Sequence, residues 1–434
     1  MKWLARGIVV VALLMVVTAG GLWHVNFNDG VDVNSGPPAS TDVATIAHGA
    51  YLARVGNCLA CHTARGGAPG AGGLPIPTDF GTAFSANLTP DDATGIGHWN
   101  SNTFWRAVHF GRGADGRLLI PVFPYTHSTL MPRADADALF AYFKSLPPTV
   151  AQPRPQELRW PYGTQVALAV WRALYFQPGS YTADPRHDAN WNRGAYLVRG
   201  VAHCSVCHAT RDALGGADWN SLTGGVIGGQ GWYAPSLVDP REAGLADWPE
   251  QEIATLLRVG VARQGRANGP MAETVMRGTQ YLSDGDVRAM SIYLRSLPQV
   301  VHTSPTSGST PASTAAITGG VLVGQKLYEK NCASCHGSHG EGVGEAYPPL
   351  AGNRAVTMPA AENLLQIVLN GGFNAATQGY PRPFGMPPFA LQLTDDEIAS
   401  VLTYIRTAWG NDAGPVSPFK VHVLRAIADP AGSK

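Results

Sequence analysis

All six cysteines of this 434-residue chain stand in three copies of one motif, Cys-x-x-Cys-His. The copies are Cys58–Cys61–His62, Cys204–Cys207–His208 and Cys332–Cys335–His336. Two cysteines three apart on a helical turn can form thioethers to the two vinyl groups of one haem. The next histidine then sits beneath the iron as its proximal ligand. Structural zinc needs such pairs to combine, so three half-sites leave one over, and zinc gives no reason for a histidine after every pair. Dithiol chemistry of the thioredoxin kind needs one such motif beside a strand–helix unit. The sequence therefore predicts three covalent haem c groups and an electron-carrying chain. Each cysteine serves attachment, and His62, His208 and His336 are the proximal ligands.

Three haems suit the length, which allows about three domains. Charged residues make up only 14% and the net charge is zero, so no basic surplus points to nucleic acid. The 51 glycines and 33 prolines imply much loop, as fits a chain whose cofactor replaces part of the core. The N-terminus is a targeting segment. Lys2 and Arg6 give a positive start, and Gly7 to Asn28 contains no charged residue. The apolar run reaches Trp23, which favours an uncleaved transmembrane anchor over residues 1–30, although Val17-Thr18-Ala19 offers a signal-cleavage exit. Either way, the haem domains face the periplasm from the bacterial inner membrane.

The chain repeats itself. Gly49-Ala-Tyr-Leu, Gly194-Ala-Tyr-Leu and Gly324-Gln-Lys-Leu each lead into a Cys pair. Helices starting at acidic residues, around Asp135, Asp284 and Asp395, close each segment, and 102–109, 250–258 and 362–369 supply a middle helix. This order predicts a mainly α chain of three tandem class I cytochrome c domains behind the anchor. Domain one spans 40–150, a linker with a helix 151–190, domain two 191–300 and domain three 318–411. A flexible linker covers 301–317, since 303–316 is Ser, Thr, Pro and Ala, with one Gly and no charge. Residues 412–434 are a tail without a helix of spanning length. In the helix at 165–176, Trp171, Leu174 and Phe176 read as core packing or as a docking face.

A second axial ligand sets the potential of a haem iron and is expected from the loop before the closing helix. In domain three this is Met386, nine residues before Asp395. In domain two it is Met271, presented by Gly269-Pro270, with Met276 as the alternative; a buried packing role is the competing reading for either. In domain one the expected ligand is His127, eight residues before Asp135, with Met131 as the alternative and an open sixth position as the third reading. Met131 is close enough to the helix start to staple it by apolar contact instead. His127 ligation would give the first haem the lowest potential, because thioether ligation raises it. Of the remaining histidines, His48, His98, His109, His203, His302 and His339 read as surface or capping residues.

Beyond the haem motifs, the chain carries Ser85-Ala-Asn-Leu-Thr-Pro90, Phe123-Pro-Tyr125, Trp171-Arg-Ala-Leu-Tyr-Phe-Gln-Pro-Gly179, Gly269-Pro-Met-Ala-Glu273 and Thr279-Gln-Tyr-Leu-Ser-Asp284. With these it resembles, from about His48 to Gly410, the three-haem cytochrome c subunits of membrane-bound bacterial dehydrogenases for alcohol, gluconate, fructose and aldehydes. The resemblance implies a non-catalytic subunit that passes electrons from a catalytic partner to membrane ubiquinone. By it Met271 and Met386 match axial positions. In the alcohol branch a Met stands where this chain has Phe123. The Phe-Pro-Tyr-x-His form looks more like cytochromes serving molybdenum hydroxylases, where the His matches His127. The resemblance thus favours an aldehyde dehydrogenase complex with a molybdenum hydroxylase chain and a small iron–sulfur chain. The competing readings are a free-standing carrier and a haem peroxidase or reductase.

Overall fold

The computed structural model describes residues 2–301 and 314–428 and is mainly helical. Contacts gather the chain into two units. One comprises Met1–Ala183, Arg199–His203 and Arg211–Trp219; the other comprises Asp184–Val198, Cys204–Thr210 and Asn220–Lys434. The second and third Cys-x-x-Cys-His segments therefore share a unit. Asn363 on the third middle helix ties to strand residue Tyr233, accepting from its N–H (2.9 Å) and donating to its carbonyl (2.7 Å). The Ser/Thr/Pro/Ala linker lies mostly outside the described residues. The helix that follows begins at Thr314, inside the stretch expected to be linker.

The first unit opens on helix Lys2–Phe27. Its segment Arg6–Phe27 is long and apolar enough to cross a membrane, with a mean hydropathy of 2.3. The foot of this helix is tied down. Asn26 is buried, donates to the Ala169 carbonyl (3.1 Å) and accepts from Arg172 Nε (2.8 Å), so its amide is satisfied on both sides. Arg112 pairs with Asp29 just beyond. Ala169 and Arg172 lie on the helix Gln165–Tyr175. Of the side chains on that helix and its exit, Phe176 is buried, while Val166, Val170 and Leu174 are exposed. The helix is therefore both core on one side and bare on the other.

Each Cys-x-x-Cys-His segment is built on the same crossing of a leading and a closing helix. The pairs are Val43–Val55 with Arg133–Lys144, Ala189–Tyr196 with Asp284–Arg295, and Thr314–Asn331 with Asp395–Thr407. The crossings are so close that only glycine fits. A Cβ on Gly49, Gly194 or Gly324 would stand 1.9, 2.0 or 2.2 Å from the carbonyl oxygen of Ala138, Ala289 or Ser400. It would also lie 2.9 Å from the Cβ of Tyr142, Tyr293 or Tyr404, respectively. The same glycine and tyrosine recurring in register show that the three segments share one helical plan. Middle helices Ser101–Phe110, Glu250–Val259 and Glu362–Asn370 complete it.

Two boundaries differ from expectation. The first closing helix starts at Arg133, with Pro132 as its extended N-cap; Asp135 lies in the first turn, where it meets His48 at 2.9 Å. The expected tail does not stand apart from the third Cys-x-x-Cys-His segment. Helix Pro418–Ala428 packs Val421 and Leu424 into its core with Ile398, Leu402 and Leu365. Arg425 Nε donates to Asp395 (2.7 Å) and clips this helix to the start of the closing one.

Candidate haem sites

Each motif forms a single helical turn. The histidine N–H donates to the carbonyl of the first cysteine four residues back, at 2.9 Å for His62, 3.0 Å for His208 and 3.0 Å for His336. That turn places the two cysteines and the histidine on one face. All six cysteines are free thiols. Burial, aided by the neighbouring Cys of each pair, pushes the Cys58 and Cys204 thiols up to about 12 and Cys332 to about 11. Each pair thus stays protonated on the protein alone, as two neutral thiols side by side. Among the described residues, no three His, Cys, Asp or Glu side chains converge as a metal-ion site.

The imidazoles carry the more telling feature. His62 Nδ1 donates to the Ala86 carbonyl at 2.8 Å, His208 Nδ1 to Pro235 at 2.7 Å and His336 Nδ1 to Pro348 at 3.0 Å. A carbonyl oxygen only accepts, so each contact puts the proton on Nδ1 and leaves the Nε2 lone pair for a metal. Burial lowers the pKa of all three, which keeps the rings neutral. The residues present thus fit c-type haem at all three places. The acceptors follow their histidines at no fixed spacing, and for that reason the sequence does not reveal them.

A second recurring feature latches the segment before the closing helix onto the end of the middle helix. Ser128 Oγ donates to the Val108 carbonyl (2.5 Å) and Thr279 Oγ1 to the Leu257 carbonyl (2.5 Å). In the third segment the Phe389 N–H plays this part, donating to the Val368 carbonyl (2.9 Å). Ser128 and Thr279 each lie five residues before their closing helix, a spacing visible in the sequence but not noticed there.

The candidate sixth ligands fall into two groups. Met386 sits on a short strand, Gly385–Met386, paired with Gly372–Phe373. Met271 does not lie in a loop as expected. It occupies the first turn of helix Gly269–Arg277, where Pro270 fixes a φ suited to helix and needs no N–H partner. Met276 lies further along the same helix, and both pack beside Ala272 and Val275. These three methionines, like His62, His208 and His336, are partly exposed on the protein surface. His127 and Met131 differ. His127, on the short helix Tyr125–Ser128, is covered to 1% exposure, and Met131 to 6%. The His127 ring packs edge-on to Trp219 at 5.2 Å and to His203 at 6.4 Å, with Nδ1 2.9 Å from the Thr126 hydroxyl. Burial drives its pKa down to about 3, with the charges of His203 and Arg211 adding to the effect.

A family model and several curated proteins match the chain. A cytochrome c family model matches residues 321–409. An alcohol dehydrogenase (quinone) cytochrome c subunit of Gluconacetobacter polyoxogenes is 37% identical over 90% of this chain and 86% of its own length. The gluconate 2-dehydrogenase cytochrome c subunit of Pantoea cypripedii is 34% identical over 85% and 87%. The fructose dehydrogenase cytochrome subunit of Gluconobacter japonicus is 33% identical over 90% and 84%. With such identity over nearly the whole of each relative, the chain belongs to the family of cytochrome c subunits of quinone-linked alcohol, gluconate and fructose dehydrogenases.

Proposed function

We propose that this chain carries three haems and passes electrons from a catalytic dehydrogenase partner to ubiquinone in the bacterial inner membrane, held by its N-terminal helix with the haem domains in the periplasm. The observation that carries the proposal is the threefold Nδ1-to-carbonyl contact, which prepares three neutral imidazoles in the same tautomer. Bound haem supplies a one-electron carrier, and the protein supplies its position and surroundings. Cys58 with Cys61, Cys204 with Cys207 and Cys332 with Cys335 anchor the groups. His62, His208 and His336 offer Nε2 on one side, with Met271 (alternative Met276) and Met386 as the thioether donors of the second and third sites. Support for the membrane assignment is the apolar Arg6–Phe27 stretch and its tied foot.

The Phe123-Pro124-Tyr125-x-His127 sequence and the N-terminal position of the apolar helix favour an aldehyde-oxidising complex, with a molybdenum hydroxylase chain and an iron–sulfur chain as partners. Purification in mild detergent with mass spectrometry of the co-purifying chains tests this. A quinoprotein or flavoprotein partner would replace the aldehyde assignment, and a chain that purifies alone would favour a free carrier. The haem count has its own test. Pyridine haemochrome should give three haems per chain, and Cys332→Ala with Cys335→Ala should leave two. A double variant that keeps all three would refute attachment at the third motif.

A further inference from the structure

We infer that the first haem site receives no sixth ligand from the protein, so that its distal position is open to a small π-accepting donor such as carbon monoxide. The inference rests on the three-haem reading proposed above. A side chain that faces a haem is covered by the haem rather than by protein, and therefore stays partly exposed on the protein alone. The three proximal histidines, Met271 and Met386 all have that character. His127 and Met131 do not, since protein encloses them on every side. His127 is also held where it is, between Trp219 and His203 and against the Thr126 hydroxyl.

No other described residue of the same unit replaces them. From Leu119 to Pro124, every residue is partly exposed and every side chain is hydrocarbon, Phe123 among them. The other histidines of this unit lie elsewhere, with His24 on the apolar N-terminal helix Lys2–Phe27. His48 pairs with Asp135 (2.9 Å), and His203 Nε2 meets the Gly56 carbonyl (3.0 Å) on the side of the Cys58 motif. His109 is buried and stacked on Trp105 at 4.1 Å, and His98 stands in solvent beside Asp92. Lys144 Nζ donates to the Gly97 carbonyl at 2.5 Å. The first site thus offers His62 on one side and hydrocarbon on the other. In the second and third sites a methionine stands in the matching segment.

The test uses the full-length protein in detergent, with its haem content first counted by pyridine haemochrome. One haem in three is expected to give a high-spin signal in the oxidised protein. The same third of the Soret absorbance should shift when the dithionite-reduced protein is exposed to carbon monoxide. His127→Gln and Met131→Leu are expected to leave both signals unchanged, the conservative replacements being chosen because the sites are enclosed. A chain with three haems, all low-spin and inert to carbon monoxide, would overturn the inference. So would a His127→Gln variant that acquires a carbon monoxide-reactive haem absent from the parent. A haem count below three would instead overturn the reading on which the inference stands.

Discussion

Replacing Gly324 by alanine should destabilise the second unit by about 3 kcal/mol or more, the upper part of the range for forcing extra volume into a packed interior. The added Cβ would lie 2.2 Å from the Ser400 carbonyl oxygen, 2.7 Å from its carbon and 2.9 Å from the Tyr404 Cβ. Two of those three atoms belong to the backbone of helix Asp395–Thr407, so no rotamer change relieves the contact and the helices must part. Parting them also disturbs the aromatic group behind the crossing, where Tyr404 meets Tyr328 at 5.6 Å and Trp409 at 5.3 Å. Gly320 provides an internal control. It lies one turn earlier on the same helix, and its nearest contact to an added Cβ is the Ser400 Oγ at 4.0 Å. There alanine has room and brings up to about 1 kcal/mol of helix propensity. Thermal melts should therefore move in opposite directions, with Gly324→Ala falling by more than ~6 °C at roughly 2–4 °C per kcal/mol for a unit of this size. Equal melts for the two variants would show that the crossing is looser than described.

That contrast marks how much of the molecule its sequence discloses. Gly49, Gly194 and Gly324 are visible as repeats, but not the reason for them, because a close approach is a property of two helices distant in the chain. The haem motifs, the order of leading, middle and closing helices, and the helix at 165–175 are legible because short motifs and helical periodicity are local. Helix Pro418–Ala428 is harder to see. It is too short to stand alone, and Val421 and Leu424 become core only once the third domain offers them a surface. The distal residues are harder still. Spacing from the closing helix singles out both His127 and Met386, yet only Met386 keeps a partly exposed surface. Counting residues ignores where the chain folds over a side chain, and around His127 it is closed by Trp219 and His203, far along the sequence.

Met386→His should lower the potential of one haem and leave the other two in place. In the proposed arrangement Met386 gives a thioether opposite His336, and thioether ligation raises a haem potential relative to imidazole. Axial ligands span roughly 0.8 V in all, so a fall on the order of 0.1 V or more is the expected scale. The local backbone favours a clean exchange. Met386 is fixed by strand pairing to Gly372 rather than by its side chain, and its neighbour Gly385 sits under the Phe373 ring, where an added Cβ would meet a ring carbon at 2.5 Å. The latch from the Phe389 N–H to the Val368 carbonyl holds the following turn independently of residue 386. The new side chain should therefore be presented from the same position, with the fold retained. A redox titration that resolves the haems, run with far-UV circular dichroism as a fold control, decides the matter. Three unmoved potentials in a folded variant would remove Met386 from the ligand set. A single lowered wave would place it there, and would leave electron flow through the third haem more reducing than in the parent chain.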